Sequence, residues 1–190
     1  MAYSRGRWQE KWRVERLARG VREQLGLDQF AVIDPWLLAD AVPAQPFYPE
    51  DILDDPMRCA ALRQVQWDGF GFCYPDDPTL MVLLNSGRPD TRQAATLMEE
   101  LCHQILCHEP SRLYVDKTTG LLRRDFKRAQ EDEAYDLGAT ILLTKELIQR
   151  EVNAGRSAAE IASERRCSGQ LVEYRIRRCR LWDRYLRLTG

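Results

Sequence analysis

Three residues near the middle of the chain, Glu99, Glu100 and His103, have the types and the spacing of a metal-dependent hydrolytic site. If residues 90–107 form a helix, Glu99 and His103 lie one turn apart, about 40° from each other around the axis. Two ligands at this spacing can reach one cation. Glu100 lies about 60° from His103, and a carboxylate there can hold a water molecule and take its proton during attack on a carbonyl.

The pattern formed by these residues is E-E-x-x-H, which differs in one letter from the H-E-x-x-H signature of zinc proteases. By itself it is weak evidence, because adjacent glutamates and a single histidine are common on solvated helix faces. A di-iron site built on Glu-x-x-His is disfavoured, because it needs a second such motif and the chain has only two histidines, His103 and His108. Cys102 and Cys107 match no zinc-finger spacing, and we interpret them as packing residues.

An acidic segment at residues 130–136 is placed to supply a third ligand. It begins a predicted helix over residues 126–143, which becomes apolar after Asp136. Acidic residues are also favourable near a helix N-terminus without any metal, so that alternative stays open. If this helix packs against helix 90–107, one of its carboxylates completes a three-ligand site. Gly138 and Ala139 permit the close approach of the two helices that this requires.

The remaining elements must hold these two helices in place. On helix 90–107, the residues Ala94, Met98, Leu101 and Ile105 form one apolar stripe that must face the core. Hydrophobic patterns predict short strands at residues 62–67, 70–74 and 80–84, and a hairpin from residues 113–116 and 121–124. Further helices are predicted over residues 7–25, 36–41, 145–153, 158–165 and 168–186.

Length and charge restrict the kind of protein. The 190 residues fit one domain with a small appendage. The net charge is −1, but residues 1–22 carry seven basic and two acidic groups, and residues 156–190 carry nine arginines and four acidic groups. Unless these basic ends are simply solvated, they contact each other, the acidic body of the chain or an anionic partner.

No feature of the sequence points to a membrane or to secretion. No apolar run approaches the roughly 20 residues needed to span a bilayer, and the charged N-terminus is not a secretory signal. The six cysteines lack a C-x-x-C pair. We therefore expect a cytoplasmic protein with free thiols and no membrane partner.

Four short segments share the order and spacing of a known protein family. Residues 82–85 are V-L-L-N, residues 92–93 are R-Q, residues 96–103 are T-L-M-E-E-L-C-H, and residues 131–134 are E-D-E-A. The ImmA/IrrE family of metallo-endopeptidases typically has a strand ending in Asn, an Arg-Gln pair, T-L-A-H-E-L-G-H, and E-x-E-A before an apolar helix end. Residues 60–145 of this chain resemble that family in all four segments.

The resemblance implies a fold and a set of site residues. The fold is α+β: a zincin-like metalloprotease core with a small antiparallel sheet packed on helices, followed by a C-terminal helical segment resembling a helix-turn-helix. We place the core in residues 1–145 and the appendage in residues 146–190. By resemblance, the metal ligands are Glu99, His103 and Glu133, with Glu131 as the alternative third ligand. The general base is Glu100.

Three positions depart from the family pattern. Glu99 replaces a histidine, Cys102 replaces a glycine, and Thr144 stands where proline is frequent. A Glu/His/Glu set can bind zinc, the most favoured divalent metal here, and its harder donors also suit manganese or iron. A second carboxylate makes the bound cation a weaker Lewis acid. This ligand set is therefore compatible with slow or switchable proteolysis, and equally with a site that has lost activity.

The resemblance also implies a function. Members of the family hydrolyse a peptide bond in a partner protein, often a helix-turn-helix repressor, in stress responses or mobile elements. We therefore predict a cytoplasmic metal-dependent endopeptidase. The alternative is a catalytically inactive, protease-like regulator or DNA-associated binding protein.

The C-terminal segment favours the alternative of a DNA-associated binding protein. Ser157 and Glu160 form a predicted capping box at the start of one helix, and Ser168 can cap the next. Arg166 stands in the turn between them, where many helix-turn-helix motifs have glycine. The nine arginines of this segment favour phosphate contacts, so DNA is a second predicted partner.

Overall fold

A computed structural model describes residues 3–74, 76–109, 113–115, 122–124 and 127–190, with side chains described for residues 13–74, 76–109 and 127–190. The described residues form helices and strands in the following order: α1 (Tyr3–Gln24), α2 (Pro35–Ala41), β1 (Ala44–Phe47), α3 (Pro56–Gln64), β2 (Gly69–Tyr74), β3 (Asp77–Leu84), α4 (Asp90–Ile105), β4 (Leu113–Val115), β5 (Leu122–Arg124), α5 (Arg128–Leu142), α6 (Lys145–Asn153), α7 (Ala158–Arg165), α8 (Gly169–Arg178) and α9 (Trp182–Thr189). The α+β class is confirmed.

The main sheet has the strand order β1-β3-β2. β2 pairs antiparallel with β3, as predicted, whereas β1 pairs parallel with β3, so the sheet is mixed. The predicted hairpin is confirmed in its strands, since β4 and β5 pair antiparallel. Its predicted turn, residues 117–120, lies outside the described residues.

The strand predicted at residues 62–67 is wrong, because this segment continues α3 and then a loop. Asp55 caps α3 by accepting hydrogen bonds from the backbone N–H groups of Met57 and Arg58, and Pro56 occupies the first helical turn. These start signals outweigh the short apolar run, which fits either a helix or a strand.

The helix predicted over residues 168–186 is also wrong in its length, because α8 and α9 are separate helices. Arg180 adopts a left-handed conformation with φ of 61°, which turns the chain back on itself. The turn packs Leu181, Trp182 and Tyr185 against the C-terminal core. Burial of these side chains favours the break over a continuous helix.

The first core lies between the sheet and helices α1, α2, α4 and α5. Its fully buried members include Val82, Leu84, Leu97, Leu101, Leu137 and Ile141. On α4 the predicted stripe is confirmed for Met98 and Leu101, which are buried. Gly138 lets α5 approach α4 closely, because a Cβ there would lie 3.0 Å from Met98 Cγ. The core therefore fixes the distance between the two helices that carry the predicted ligands.

Helices α6 to α9 enclose a second buried cluster, which includes Leu147, Ile161, Val172 and Ile176. Buried arginines join it to the rest of the molecule. Arg175 donates to the Leu143 carbonyl at 2.9 Å and forms an ion pair with Glu15 of α1 at 3.1 Å. This ion pair joins the two basic ends of the chain, and Arg178 pairs with Asp136 of the acidic middle. Among the described residues, no helix is both long and apolar enough to cross a membrane.

Candidate metal centre

Helix α4 presents Glu99 and His103 on one face, as their spacing predicts. The helix is held by its buried stripe and by the turn that precedes it. In that turn the fully buried Asn85 donates to the Trp67 carbonyl at 2.9 Å and accepts from the Gly87 N–H at 2.9 Å. Gln93 donates to the Arg88 carbonyl at 2.7 Å. Two of the family-like segments, at Asn85 and Gln93, thus fix how the chain enters α4.

Arg92 has a similar positioning role. It forms an ion pair with Asp68 at 2.5 Å, and Arg88 contacts the other oxygen of this carboxylate at 3.0 Å. The hydrogen bond from Arg92 lowers the pKa of Asp68. This pair ties the start of α4 to the loop before β2.

Glu99, His103 and Glu131 converge into one group. Their potential ligand atoms all lie within 4.8 Å of one another, and each residue is partly buried. Within this group, His103 Nε2 lies 3.5 Å from Glu131 Oε2. Glu131 is in the first turn of α5, so the packing of α5 on α4 brings this carboxylate to Glu99 and His103.

The residues in this group fit a divalent cation. Two donor atoms bound to a tetrahedral zinc ion at about 2.0–2.1 Å lie roughly 3.4 Å apart, close to the 3.5 Å between His103 and Glu131. One imidazole and two carboxylates are ordinary ligands for zinc and for harder divalent ions. The side chains of His103 and Glu131 are 15% and 19% exposed, which leaves access for a water molecule or a substrate.

Glu133 has different partners from Glu131. Its Oε1 lies 3.0 Å from Arg13 Nη1, and its Oε2 lies 3.3 Å from His108 Nε2. The two glutamates are two residues apart, about 200° around a helix axis, so they point in different directions. The prediction of Glu133 as a ligand stays a prediction, while the group of three in the structure contains the alternative, Glu131.

His108 is a site residue that the sequence analysis did not assign. Its Nδ1 lies 2.9 Å from Nδ1 of His103, and its side chain is only 7% exposed. The signal available in the sequence was the rarity of histidine, since His103 and His108 are its only two. The rarity of histidine does not predict that the two rings meet. His108 lies beyond the end of α4, where helical spacing no longer applies.

Glu100 lies on the sheet side of α4 and is 7% exposed. Its carboxylate approaches β2 so closely that a Cβ on Gly71 would lie 2.7 Å from Glu100 Oε2. A Cβ on Gly69, two residues earlier on the same strand face, would lie 2.9 Å from Thr96 of α4. These alternate glycines let β2 lie directly on the site helix, beside the group of three.

Cys102, the cysteine within α4, is not a member of the group of three. Burial, with Glu99 nearby, raises the pKa of the Cys102 thiol well above its ordinary value. The sulfur is therefore a neutral thiol, and Cys102 belongs to the first core cluster. This agrees with the interpretation of Cys102 as a packing residue, whereas the same interpretation is wrong for Cys107, which is exposed.

A mixed sheet on a site helix that carries potential metal ligands agrees with the predicted zincin-like core. The family model described as the IrrE N-terminal-like domain, Peptidase_M78, matches residues 57–177, well over half of the chain. The chain belongs to this family, so its resemblance to ImmA/IrrE proteins is confirmed. The family is of the metallopeptidase type and implies a divalent metal, typically zinc. Searches of curated proteins and of solved structures gave no match.

Proposed function

We propose that this chain is a metal-dependent endopeptidase whose cation is held by Glu99, His103 and Glu131. The observation that carries the proposal is the convergence of these three groups within 4.8 Å in a member of a metallopeptidase-type family. Zinc is the first choice on family grounds. Manganese or iron is the alternative, because two of the three ligands are carboxylates.

Each site residue has a separate task in this proposal. When bound, the cation supplies Lewis acidity to the scissile carbonyl and to the attacking water. Glu99, His103 and Glu131 bind the cation from two helices. Glu100 takes the proton of the attacking water and passes it to the leaving amine. The contact of its carboxylate with β2 at Gly71 holds it on the side of the helix that faces the sheet.

The edge of the sheet offers a place for the substrate chain. In the described part of the protein, β2 pairs only with β3, so its outer edge has unpaired backbone groups. An extended segment of a partner protein can pair with that edge. Because Glu100 contacts β2, a peptide bound there lies near the proposed base.

The metal can be tested directly. Protein purified without chelator should contain close to one equivalent of metal, or gain it on addition of zinc or manganese. Glu131→Gln should abolish this binding, whereas Asp132→Asn on the same helix turn should retain it, since Asp132 is 76% exposed and pairs with Arg128. Less than about a tenth of an equivalent, with no gain on adding either metal, would exclude the site.

Hydrolysis requires a substrate, and we propose a helix-turn-helix repressor on the basis of family resemblance. The test is incubation of the metal-loaded protein with repressors encoded beside its gene, followed by mass spectrometry of the products. Glu100→Gln should lower the cleavage rate by about 10²-fold or more while metal content stays unchanged. Cleavage at the wild-type rate in that variant would exclude Glu100 as the base.

A regulator without hydrolytic activity is the second candidate. The observation that favours it is Glu99, which replaces the usual histidine ligand by an anionic one. This candidate predicts that Glu100→Gln leaves biological activity intact.

DNA binding by the C-terminal helices stays a prediction. At least five of the nine arginines there form ion pairs with described residues, which reduces the charge available to phosphates: Arg156, Arg165, Arg175, Arg177 and Arg178. A salt-dependent affinity for duplex DNA that falls when Arg184 and Arg187 of α9 are changed to Ala would support it.

A further inference from the structure

The turn after α4 brings a second imidazole against the proposed metal ligand. Cys107 adopts a left-handed conformation with φ of 53°. The Cys107 N–H donates to the Gln104 carbonyl and the His108 N–H to the His103 carbonyl, both at 3.0 Å. This is the hydrogen-bond pattern of a Schellman motif, which usually has glycine at the left-handed position. It folds the chain back so that the rings of His103 and His108 lie 5.0 Å apart, edge to face.

The two rings belong to a chain of polar contacts that leads away from the site. Nδ1 of His103 lies 2.9 Å from Nδ1 of His108, Nε2 of His108 lies 3.3 Å from Glu133 Oε2, and Glu133 Oε1 lies 3.0 Å from Arg13. At the other end, Nε2 of His103 faces Glu131 at 3.5 Å. Each ring nitrogen therefore has a defined neighbour.

These neighbours determine the direction of the hydrogen bonds. A carboxylate only accepts, so His108 must donate to Glu133 through Nε2–H. In neutral His108, Nδ1 is then the acceptor, and Nδ1 of His103 must carry the proton between the two rings. The opposite direction would set the lone pair of His108 Nε2 against the Glu133 carboxylate at 3.3 Å, which is a closer contact than the 3.5 Å between His103 Nε2 and Glu131. In the favoured arrangement, Nε2 of His103 has its lone pair directed toward Glu131 and Glu99, which is what a metal ligand requires.

We propose that His108, with Glu133 behind it, is a positioning residue that holds His103 in the Nδ1–H tautomer and thereby presents Nε2 to the cation. Arg13 keeps Glu133 in place as an acceptor. The role of these contacts in metal binding rests on the proposed function. The tautomer of His103, in contrast, can be determined in the metal-free protein. The proposal also gives Glu133 a role outside the ligand set.

The first test measures the tautomer without any metal. Long-range ¹H–¹⁵N spectra of metal-free protein lacking a histidine tag contain only two imidazoles, and His108→Gln assigns them. We expect His103 with a protonated Nδ1 and a non-protonated Nε2. In His108→Leu we expect this preference to be lost and the two tautomers of His103 to exchange. His103 in the Nε2–H tautomer in the wild-type protein would overturn the proposal.

The second test measures the affinity for zinc and for cobalt by competition with a chelator. His108→Leu should weaken both by about 10- to 100-fold. His108→Gln should weaken them less, because the amide oxygen can still accept from Nδ1 of His103. Glu133→Gln should cost less than Glu131→Gln, and Asp132→Asn is the matched control that should change nothing. If His108→Leu does not fold, the two glutamine variants still decide the outcome.

The results separate this proposal from the proposed function. A protein that binds no metal but has the predicted tautomer refutes the metal site and supports the positioning role of His108. A protein that binds metal equally well with His108→Leu refutes the positioning role and leaves the metal site standing. Loss of metal in Glu133→Gln as complete as in Glu131→Gln would also overturn the proposal, because Glu133 would then be a ligand itself.

Discussion

At the scale of single residues, we propose that the exchange of a histidine for Glu99 decides the chemistry of the candidate metal centre. The group of three carries one imidazole and two carboxylates, whereas the usual family pattern has a histidine in place of Glu99. A second anionic ligand neutralises more of the charge of the cation, so the cation polarises a carbonyl less. It also shifts the preference from zinc toward harder ions. In the proposed site, Glu99 would therefore affect both the choice of metal and the rate of cleavage.

Glu99→His should reverse these effects. We expect the ratio of zinc affinity to manganese affinity to rise by about tenfold or more, because imidazole is the softer ligand. Cleavage of a substrate by the zinc-loaded variant should also become faster. Chelator competition with each metal measures the ratio.

The control for this change is Glu99→Gln, which removes the charge without supplying an imidazole. It should weaken the binding of both metals. An unchanged or lower zinc-to-manganese ratio in Glu99→His would show that Glu99 does not bind the cation.

At the scale of secondary-structure elements, the contact of β2 with α4 positions the proposed base. Gly69 and Gly71 face α4, and the alternate residues Phe70, Phe72 and Tyr74 form ring contacts along the opposite face of the strand. The two glycines meet different obstacles. A Cβ at Gly71 would meet the end of the Glu100 side chain at 2.7 Å, and a Cβ at Gly69 would meet the backbone oxygen of Leu83 at the same distance.

Gly71→Ala should therefore affect function more than stability. A side-chain end can move more easily than a strand, so we expect a loss of about 1 kcal/mol in unfolding free energy. The displaced Glu100 carboxylate should lower the cleavage rate by about tenfold or more, while metal content is retained. Urea unfolding and a cleavage assay measure the two effects.

Gly69→Ala is the matched comparison on the same strand face. The added Cβ at position 69 would meet a backbone atom, which moves less easily than the end of a side chain. We therefore expect Gly69→Ala to lose about 1–3 kcal/mol of unfolding free energy. Equal losses of stability in the two variants, with cleavage unaffected by Gly71→Ala, would contradict the proposed place of Glu100.

At the scale of the whole molecule, charged groups link elements that are distant in sequence. Arg22, which is 2% exposed, donates to the carbonyl of Ile141 in α5 and to those of Asp28 and Ala31. Arg165 donates to the Phe30 carbonyl at 2.7 Å. These bonds connect the loop after α1 to α5 and α7. Arginines from both basic ends of the chain thus form hydrogen bonds inside the folded protein.

Glu151 is the most buried carboxylate of the C-terminal part among the described residues, at 4% exposure. It contacts Arg150 at 2.7 Å, Arg156 at 2.9 Å and Arg165 at 3.5 Å. Burial by itself raises the pKa of Glu151, but the hydrogen bonds and charges of Arg150 and Arg156 outweigh it, so the pKa is lowered from its ordinary 4.5.

The lowered pKa of Glu151 predicts how stability depends on pH. A carboxylate whose pKa is lower in the folded state stabilises the fold above its ordinary pKa, and this stabilisation is lost as the pH falls through the lowered value. Glu151→Gln should reduce the unfolding free energy at neutral pH by about 2 kcal/mol, because it removes the charged partner of Arg165, whose side chain is only 7% exposed. It should also reduce the fall in stability as the pH drops below 4.5.

Glu164→Gln is the control for that experiment. Glu164 pairs with Arg156 and Arg165 as well, but its side chain is 45% exposed. We expect it to change the unfolding free energy by less than about 1 kcal/mol. Urea unfolding at a series of pH values compares the two variants, and equal effects would contradict the central role of Glu151.

The parts of the fold that follow from local rules could be predicted from the sequence. The site helix, its buried stripe and the adjacent helix at residues 126–143 correspond to α4 and α5, because hydrophobic periodicity over several turns is a strong local signal. A strand was wrongly predicted at residues 62–67, because a short apolar run fits either a strand or a helix, and α3 uses residues 62–64 in its last turn. The break between α8 and α9 was missed because a left-handed arginine at position 180 has no sequence signature.

The sequence by itself determined that Glu99, Glu100 and His103 lie together, because the spacing of side chains on a helix is a local property. It also determined the family, through four linked segments. Only the tertiary structure decided that Glu131 faces this group and Glu133 faces His108, because that depends on the rotation of α5 against α4. Packing around Gly138 and Met98 sets this rotation, and no pattern within either helix records it.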